Sequence, residues 1–371
     1  MTARSASGPD DATRVARPGP ASGDGEPVIE VRDLRKWYPL RQGVIDTLRG
    51  RTPRHLKAVD GVSFALRAGE VLGVAGESGC GKSTTGMTAV QLHRPTSGEI
   101  RFEGRPLGVD AGAAALRAFR RKAQIVFQNP YESLNPRFTV ADSVLEPLQI
   151  HFPGDVARQQ RMLVAAMERA GLMPVHAYLD RFPHQLSGGQ LQRIAIARAI
   201  AVEPRFLVAD EPVSMLDVSI RAGILNLFRR FSTELRMAIL YISHDLSTMR
   251  HVCSHVAIMY LGRIVEIGPA AQVLDAPRHP YARALMAAAP VMGARTRERV
   301  ELGGAVPNPA DMPSGCRFHP RCPQADATCR DVEPVLAPSA DGRSVACHHA
   351  SAPVGAALHP MPRAARTSTP S

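Results

Sequence analysis

The amino-acid sequence predicts an α/β fold with a β-rich antiparallel start, a parallel core, an inserted helical subdomain and a loop-rich C-terminal extension. Several short apolar runs end directly in glycine-rich or acidic segments, as buried parallel strands do. Residues 129–200 instead carry helix-forming stretches such as Ala157–Ala170. After Gly268 the content of Pro, Arg, His and Cys rises, and long periodic segments stop near Ala289. These changes predict a core, an insertion within it and an extension after it.

Composition is ordinary for a globular chain that is long enough for two domains. The chain has 371 residues, of which 44% are hydrophobic and 21% charged. A net charge of +11 would suit nucleic acid, but only 5% of the residues are aromatic, so bases would find few stacking platforms. We therefore expect no nucleic-acid partner. The sequence starts without the apolar region of a secretory signal and has no run of eighteen apolar residues, which predicts a cytosolic chain with reduced thiols.

Four divisions are predicted along the chain from its changes in composition. A disordered tail is followed by a main domain with a helical subdomain at about 129–200, by the extension and by a second, flexible tail. In order, they span residues 1–26, 27–268, 269–350 and 351–371. Strands are predicted where apolar residues alternate or run together. The clearest are Val28–Val31, Val62–Leu66, Val71–Ala75, Phe206–Ala209 and Ala238–Ser243.

A phosphate-binding loop follows the strand at Val71–Ala75. The segment Gly76–Ser83 fits the pattern GxxxxGK[ST] and precedes a predicted helix at Thr84–Leu92. Its glycines let backbone N–H groups turn inward around phosphate oxygens, while Lys82 can reach the terminal phosphates and Ser83 can ligate Mg²⁺. The predicted nucleotide contacts here are Gly76, Glu77, Ser78, Gly79, Cys80, Gly81, Lys82, Ser83 and Thr84.

Two carboxylates end the apolar strand at Phe206–Ala209. Asp210 is predicted to lie at the edge of the sheet beside the Mg²⁺ ion. Glu211 lies one residue further out, where a carboxylate can polarise the attacking water. Taken alone, Glu211 would more simply be a loop carboxylate before Pro212. The phosphate loop earlier in the chain favours the catalytic interpretation.

Polar side chains also follow two other predicted strands. His244 comes after the strand at Ala238–Ser243 and is predicted to contact the γ-phosphate and to position Glu211. Gln128 follows Ile125–Phe127, and its amide is predicted to reach Mg²⁺ or the attacking water. A histidine or a glutamine alone is weak support for a site. Their place after strands of the same sheet is what favours it.

A second glycine-rich turn occurs at Leu186–Gln190, with the sequence LSGGQ. Ser187 is a good N-cap, and Gly188 and Gly189 leave backbone N–H groups open to an anion. Gln190 then begins a segment with helical spacing that runs to Ala201. The simpler alternative is an ordinary capped helix. A second phosphate cradle in one chain would be redundant unless it serves the nucleotide of another subunit.

Together these motifs resemble those of the ATP-binding subunits of ABC transporters, across roughly residues 28–268. The resemblance implies an ABC-type P-loop ATPase with an N-terminal antiparallel β-subdomain and a RecA-like parallel core. In that family two subunits dimerise head to tail. Each ATP lies between the phosphate loop of one subunit and the LSGGQ segment, with Ser187, Gly188, Gly189 and Gln190, of the other. The cofactors implied are therefore ATP, as the substrate, and Mg²⁺.

The resemblance also implies a role for single residues. Glu211 corresponds to the catalytic carboxylate and His244 to the switch histidine. Gln128 corresponds to the residue that couples the site to the membrane subunits, and Asp217 belongs to the loop that crosses the dimer. Met215 stands where the family usually has alanine, which is a mild departure.

Tyr38 aligns with the aromatic residue that stacks on adenine in this family. Trp37 is adjacent and is the alternative, but neighbouring side chains of an extended segment point to opposite faces. Tyr38 is preferred because it precedes Pro39 as in related sequences. A plain surface or core aromatic remains the simpler interpretation of either ring.

The closer resemblance is to the oligopeptide/dipeptide importer branch. It is carried by Phe127–Pro136, by His279-Pro280-Tyr281, by Pro307-Asn308-Pro309 and by Gly315–Cys322. It implies an ATP-hydrolysing subunit for the import of peptides or related small solutes. The basic stretch before Ala58–Val62 resembles the second ATPase of these heterodimeric systems. The implied partners are a second ABC ATPase, two integral-membrane permeases and, indirectly, an extracytoplasmic solute-binding protein. The implied location is peripheral, on the cytoplasmic face of the membrane.

Two other functions fit parts of the sequence. An exporter-type ABC ATPase shares the nucleotide motifs, but the extension argues against it. A soluble ABC ATPase acting on nucleic acid or ribosomes suits the basic charge, but such proteins usually carry tandem cassettes or long coiled-coil insertions. A non-catalytic binding module is disfavoured because every nucleotide motif is complete.

Four cysteines in the extension form a candidate metal site. Cys316, Cys322, Cys329 and Cys347 are separated by five, six and seventeen residues, without the CxxC pair that is usual for zinc. Four thiolates on irregular loops can hold a [4Fe–4S] cluster, and Zn²⁺ or no metal are the alternatives. Related importer ATPases carry such a cluster, so the resemblance favours iron and sulfur. The rival ligands are His319, His348 and His349, whereas Cys80 and Cys253 are expected to be packing residues.

Overall fold

The computed structural model describes residues 25–40, 54–107, 112–288 and 307–350. The tails predicted at 1–26 and 351–371 lie outside the described residues, apart from Gly25 and Glu26. Within the described part, no helix is both long and apolar enough to cross a membrane.

The described residues contain strands that form two sheets. The strands are β1 (Ile29–Pro39), β2 (His55–Leu66), β3 (Val71–Ala75), β4 (Ser97–Phe102), β5 (Arg105–Leu107), β6 (Ala123–Val126), β7 (Phe206–Asp210), β8 (Ala238–Ile242), β9 (His255–Tyr260), β10 (Arg263–Pro269), β11 (Ala337–Pro338) and β12 (Ser344–Val345). One sheet has the order β2-β1-β4-β5 and the other the order β11-β12-β10-β9-β3-β8-β7-β6.

Helices connect and cover these strands. The α-helices are α1 (Lys82–Ala89), α2 (Ala113–Lys122), α3 (Pro130–Ser133), α4 (Val140–His151), α5 (Val156–Arg169), α6 (Gly188–Ile200), α7 (Val218–Thr233), α8 (Leu246–Val252), α9 (Ala270–Asp275), α10 (Pro280–Ala288) and α11 (Ala327–Asp331). Short 3₁₀ turns occur at Val175–Ala177, Pro183–Gln185 and His319–Arg321.

The first sheet is antiparallel and forms the β-rich start that the sequence predicts. In β1, Ile29, Val31 and Leu34 are fully buried, and this strand pairs with both β2 and β4. The strand is longer than the predicted Val28–Val31, because it continues through irregular pairing with β2 as far as Pro39. Alternation is lost there, which is why the sequence pattern stopped early.

The second sheet holds the parallel core. Strands β9, β3, β8, β7 and β6 are parallel neighbours, and every residue of β3, β7 and β8 is buried. Burial on both faces explains the continuous apolar runs in the sequence. Parallel pairing brings Ala75, Val126, Asp210 and Ile242, at or near the carboxyl ends of their strands, to one edge of the sheet.

Helices α3 to α6 lie between β6 and β7 in the chain, as predicted for residues 129–200. Thr139 caps α4 through a capping box with Asp142, and Asp155 caps α5. The helices pack through buried apolar side chains on their facing sides. These include Val144, Leu148, Leu163, Met167, Leu191 and Ile194. The subdomain therefore places the start of α6, with Ser187 as its N-cap, on a packed base.

The extension continues the second sheet. β12 pairs with β10, and β11 pairs with β12. The boundary predicted at Gly268 falls inside β10, which runs to Pro269. Phe318 is buried against the rings of Tyr260 and Tyr281, at centroid distances of 5.3 and 5.5 Å. The extension thus shares a core with the main domain.

Candidate active site

The carboxyl edge of the parallel sheet gathers the predicted catalytic side chains. The phosphate loop follows β3, Asp210 ends β7, Glu211 comes next, and His244 lies two residues beyond β8. Because β3, β8 and β7 are adjacent and parallel, these segments emerge side by side. The predicted catalytic residues therefore lie at one edge of the sheet.

Backbone geometry in the phosphate loop requires glycine at two positions. Gly76 has φ of +156°, and a Cβ there would lie 2.2 Å from the Met259 carbonyl oxygen. Gly81 has φ of +103°, and a Cβ there would lie 2.0 Å from the Ala58 carbonyl oxygen. Any side chain would therefore push the loop off the strands beneath it.

Lys82 lies at the start of α1 and turns back over the loop. Its Nζ donates to the carbonyl oxygens of Gly76 and Glu77, at 2.8 and 2.9 Å. The helix predicted at Thr84–Leu92 begins two residues earlier, at Lys82, and ends at Ala89. The ammonium and the helix N-terminus thus face the same loop, which favours an anion there.

Ser83 and Asp210 meet as the sequence predicts for a Mg²⁺ site. The Ser83 hydroxyl donates to Asp210 Oδ1 at 3.0 Å. Burial raises the pKa of Asp210, the hydrogen bond from Ser83 lowers it, and the neighbouring Glu211 charge raises it again. A buried carboxylate beside another acid is stabilised by a cation, so these donors fit a hard divalent ion.

Glu211 and His244 form a direct contact. Glu211 Oε2 lies 2.7 Å from His244 Nδ1. The Glu211 backbone has φ of +48°, in the left-handed region that is unfavourable for side chains other than those of Gly, Asn and Asp. Its N–H is held by the carbonyl oxygen of Ile242, at 2.9 Å. Such conformations cost about 1–3 kcal/mol and concentrate at functional sites, because the surrounding structure must impose them.

Gln128 lies two residues after β6 and is exposed. Since β6 neighbours β7, Gln128 is on the same edge of the sheet as Asp210. Within the described residues its amide has no hydrogen-bond partner that would fix it. The structure therefore places Gln128 at the margin of the site.

Tyr38 and Trp37 have different surroundings. The Tyr38 hydroxyl lies 3.3 Å from His93 Nδ1, and burial raises its pKa while a hydrogen bond with Thr84 lowers it. Tyr38 is therefore next to the phosphate-loop helix. Trp37 instead donates from Nε1 to Asp60 Oδ1 at 3.0 Å, on the side of the extension. Of the two rings, Tyr38 is the one beside the helix that follows the phosphate loop.

The LSGGQ segment forms the N-terminus of α6. Ser187 accepts from the Gln190 N–H at 3.4 Å, and the Gln190 side chain accepts from the Ser187 N–H at 3.0 Å. Gly189 is required for packing, because a Cβ there would lie 2.8 Å from Ile220. Among the described residues, no hydrogen bond joins this segment to the phosphate loop. Ser187 is exposed, so the N-terminus of α6 is open to solvent.

Asp217 is exposed at the start of α7, near the LSGGQ segment. The Leu216 side chain is 3.9 Å from where a Cβ on Gly188 would lie. Met215 is 60% exposed and Val218 is 76% exposed, which is high for apolar side chains. The departure from alanine at Met215 therefore lies on an exposed apolar surface beside the segment.

Sequence reasoning missed a contact between the extension and the phosphate loop. Both terminal nitrogens of Arg321 pair with the carboxylate of Glu77, and the Glu77 N–H donates to the Tyr281 hydroxyl. Tyr281 and Arg321 belong to the two segments that carried the importer resemblance. No local pattern links them to Glu77, since 204 and 244 residues separate them from it.

Among the four extension cysteines, Cys329 is buried and the other three are partly buried. Burial raises the pKa of all four thiols, to about 11 for Cys322, and neighbouring thiols raise it further for Cys316, Cys322 and Cys347. Bound iron or zinc would favour the thiolate form, with release of protons.

One cluster of three ligand types lies within the extension. In the described part of the chain, Asp326, Cys329 and His349 offer ligand atoms that all lie within 4.8 Å of one another. His349 Nε2 is 3.6 Å from Cys329 Sγ and 3.4 Å from Asp326 Oδ2. Cys80 and Cys253 are buried elsewhere, in the two apolar cores.

Comparison with protein families gives two matches along the sequence. Residues 59–214 match the ABC transporter family, and residues 265–329 match the oligopeptide/dipeptide transporter C-terminal region. The first match includes the phosphate loop, Gln128, the LSGGQ segment, Asp210 and Glu211, and the second covers most of the predicted extension.

Several curated proteins are similar over most of the chain. The oligopeptide transport ATP-binding protein AppF of Bacillus subtilis is 42% identical over 326 residues, which is 87% of this chain and 97% of the relative. The dipeptide transport ATP-binding protein DppF of Haemophilus influenzae is 44% identical over 328 residues, or 88% and 98% of the two chains. The di/tripeptide transport ATP-binding protein DppF of Pseudomonas aeruginosa is 44% identical over 326 residues, again 88% and 98%.

Solved structures share the fold of the main domain. The cbiO1 protein of Clostridium perfringens, part of the ABC transporter complex cbiONQ, superposes with a TM-score of 0.57 and 26% identity over 68% of this chain and 92% of its own. The ATP-binding cassette MJ0796, a dimer bound to ADP and phosphate after hydrolysis, superposes with a TM-score of 0.56 and 25% identity over 65% and 98%.

Proposed function

This chain belongs to the ATP-binding subunits of ABC transporters, in the oligopeptide/dipeptide branch, and we propose how its residues drive peptide import. It is an ATPase whose hydrolysis energises the transport of peptides or related small solutes. The 2.7 Å contact between Glu211 and His244, beside the Ser83–Asp210 pair, is the observation that carries the residue assignments. The relatives are named as oligopeptide, dipeptide or peptide transport proteins, two of them as putative peptide import proteins, so an exporter and a nucleic-acid ATPase are disfavoured.

The phosphate loop binds the phosphates of ATP through its backbone N–H groups and Lys82. Mg²⁺, when bound, supplies positive charge that neutralises the β- and γ-phosphates. Ser83 and Asp210 would hold it, with Gln128 contributing from the neighbouring strand end. Tyr38 stacks on the adenine ring from its place beside the helix that follows the loop. The other backbone contacts come from the segment between Gly76 and Thr84.

Glu211 polarises the water that attacks the γ-phosphorus in line. His244 holds the Glu211 carboxylate through the contact at Oε2 and leaves the other oxygen for the water. His244 is itself largely exposed, so it can reach the γ-phosphate. The two residues act as one unit.

The second half of the site is supplied by another ATPase subunit. Ser187 is exposed and Gly188 and Gln190 are partly exposed, with the exposed Asp217 nearby, whereas Gly189 packs inward. In a head-to-tail dimer, this helix N-terminus would meet the γ-phosphate held by the partner. We propose that the partner is a second, related ATPase. The assembly then contains two permeases, receives solute from an extracytoplasmic binding protein and lies on the cytoplasmic face of the membrane.

The extension holds a metal centre in this proposal. The donor set of Cys316, Cys322, Cys329 and Cys347 fits a [4Fe–4S] cluster. A single tetrahedral zinc ion with four thiolates needs sulfurs about 3.8 Å apart, from Zn–S bonds of about 2.3 Å. The one tight group among the described residues contains only Cys329 of the four. Zn²⁺, for which Cys329 and His349 offer two ligands 3.6 Å apart, is the alternative.

We propose that residues 27–268 and 269–350 have different roles. The first part binds and hydrolyses ATP, with its helical subdomain at about 129–200 facing the permeases. The second part carries the metal centre and packs on the first through β10, β12 and Phe318.

Replacement of Glu211 by glutamine tests the catalytic assignment. Glu211→Gln keeps the size of the side chain but removes the base, so MgATP should bind with unchanged affinity while turnover falls about 10²- to 10⁴-fold. Glu234→Gln, on an exposed pair with Arg230, is the matched control and should keep wild-type turnover. Steady-state phosphate release and calorimetric titration measure the two quantities. Near-normal turnover of Glu211→Gln would show that another group activates the water.

A further inference from the structure

Two residues of the extension form hydrogen bonds with Glu77 in the phosphate loop. Arg321 Nη1 donates to Glu77 Oε2 at 2.8 Å and Nη2 donates to Oε1 at 3.1 Å, which makes a bidentate pair. The Glu77 N–H donates to the Tyr281 hydroxyl at 2.8 Å. The side chain and the backbone of one loop residue are therefore both held by residues beyond position 269.

The extension residues that contact Glu77 are buried and well packed. The side chain of Arg321 is 6% exposed, and that of Glu77 is 26% exposed. Tyr281 is fully buried and packs against Tyr260 at 4.6 Å and Phe318 at 5.5 Å between ring centroids. Water cannot readily replace a bidentate pair in such surroundings, and the aromatic cluster leaves Tyr281 little freedom to move.

The inner side of the same turn is held by Lys82. Its ammonium binds the carbonyl oxygens of Gly76 and Glu77, so Glu77 is fixed by its N–H, its carbonyl and its carboxylate. Residues after Glu77 present their N–H groups to the phosphates, and their direction depends on where this turn sits. A shift of the turn by a fraction of an ångström would misalign several donors at once.

We propose that Arg321 and Tyr281 are positioning residues for ATP binding, which hold Glu77 so that the loop from Ser78 to Lys82 faces the phosphates. This inference rests on the proposed nucleotide site. Neither residue touches ATP. Each acts through Glu77, so the extension takes part in nucleotide binding although it lies outside the ATPase domain in sequence.

Arg321→Gln removes the bidentate pair and leaves Glu77 partly buried without a cation. The dissociation constant for MgATP should rise about 5- to 30-fold, as expected for one charge-assisted hydrogen-bond pair. The turnover number at saturating ATP should change less than threefold, because the catalytic groups are not moved once ATP is bound. Tyr281→Phe, which removes only the hydroxyl, should raise the dissociation constant by about threefold or more.

Calorimetric titration of the full-length protein with MgATP, together with steady-state KM and kcat, separates positioning from general damage. Arg343→Gln is the matched control. Arg343 is an equally buried arginine of the extension, but it pairs with Glu266 on β10. The Arg343→Gln variant should have a lower melting temperature but an unchanged affinity for MgATP. An equal rise in the dissociation constant for Arg343→Gln would overturn the proposal.

Charge reversal keeps the test decisive if a single variant folds poorly. The double variant Glu77→Arg with Arg321→Glu should bind MgATP at least threefold more tightly than Arg321→Glu alone. Arg321→Lys, which keeps the charge but loses the fork, should fall between wild type and Arg321→Gln. Wild-type affinity in Arg321→Gln, or no rescue by the double variant, overturns the inference. Failure of the wild-type chain to bind MgATP would instead refute the proposed function.

Discussion

A buried histidine in the extension should make the stability of the whole chain sensitive to acid. His279 is 1% exposed, and its Nδ1 accepts the Tyr281 N–H at 3.1 Å, at the start of α10. Burial lowers the pKa of His279 to about 3, and the nearby Arg283 charge contributes in the same direction. Between about pH 6.5 and pH 3, the folded chain therefore keeps this imidazole neutral while the unfolded chain protonates it.

The direction and size of the effect follow from the two pKa values. The unfolded chain takes up a proton near pH 6.5, whereas the folded chain does not until about pH 3. The contribution of His279 to the free energy of unfolding is therefore fully present above about pH 6.5, and it is lost as the pH falls toward 3. Between pH 8 and pH 5, the free energy of unfolding should fall by about 2 kcal/mol through His279 alone.

His279→Asn tests this because the asparagine oxygen can still accept the Tyr281 N–H but does not titrate. Urea unfolding followed by circular dichroism, at pH 8 and pH 5, gives the loss on acidification for each protein. The loss should be about 2 kcal/mol smaller in His279→Asn than in the wild type. His176→Asn, at an exposed position, is the control and should match the wild type. Equal losses in wild type and His279→Asn would refute the reasoning.

Two further predictions concern the proposed dimer and the metal centre. Ser187→Arg places a bulky cation at the outward N-terminus of α6, so it should leave MgATP affinity within twofold but reduce turnover of the assembled transporter at least tenfold, measured as phosphate release in proteoliposomes. Cys347→Ser should abolish the visible absorbance and the bound iron of anaerobically purified protein. The control Cys253→Ser, at a buried position in the core, should keep both. Equal iron content in the two variants would contradict the four-cysteine ligand set.

Much of the candidate site could be predicted because its residues follow strands that are recognisable alone. The run at Phe206–Ala209 is apolar throughout because β7 is buried on both faces, and the acids then fall at the sheet edge. The positive φ of Glu211 left no mark in the sequence, since glutamate is not a residue that favours it.

The contacts that tie the extension to the core could not be predicted. Arg321 and Glu77 are 244 residues apart, and the sequence around an arginine does not indicate which carboxylate it will pair with. The β12 strand has only two residues, which is too short for an alternation. The predicted break at Gly268 followed a real change in composition, but composition reports the kind of segment and not what it packs against.

The extension and the ATPase core depend on each other for charge as well as for packing. Asp60, which is 4% exposed, pairs with Arg317 of the extension, and Glu266, which is fully buried, pairs with Arg343. A chain ending at Gly268 would lose both arginines. Removing one partner of a buried ion pair costs about 3–5 kcal/mol, and a whole domain is stable by only about 5–15 kcal/mol. The position at which the composition changes is therefore not one at which folding can be divided, and the extension, the aromatic cluster and the phosphate loop fold as parts of one structure.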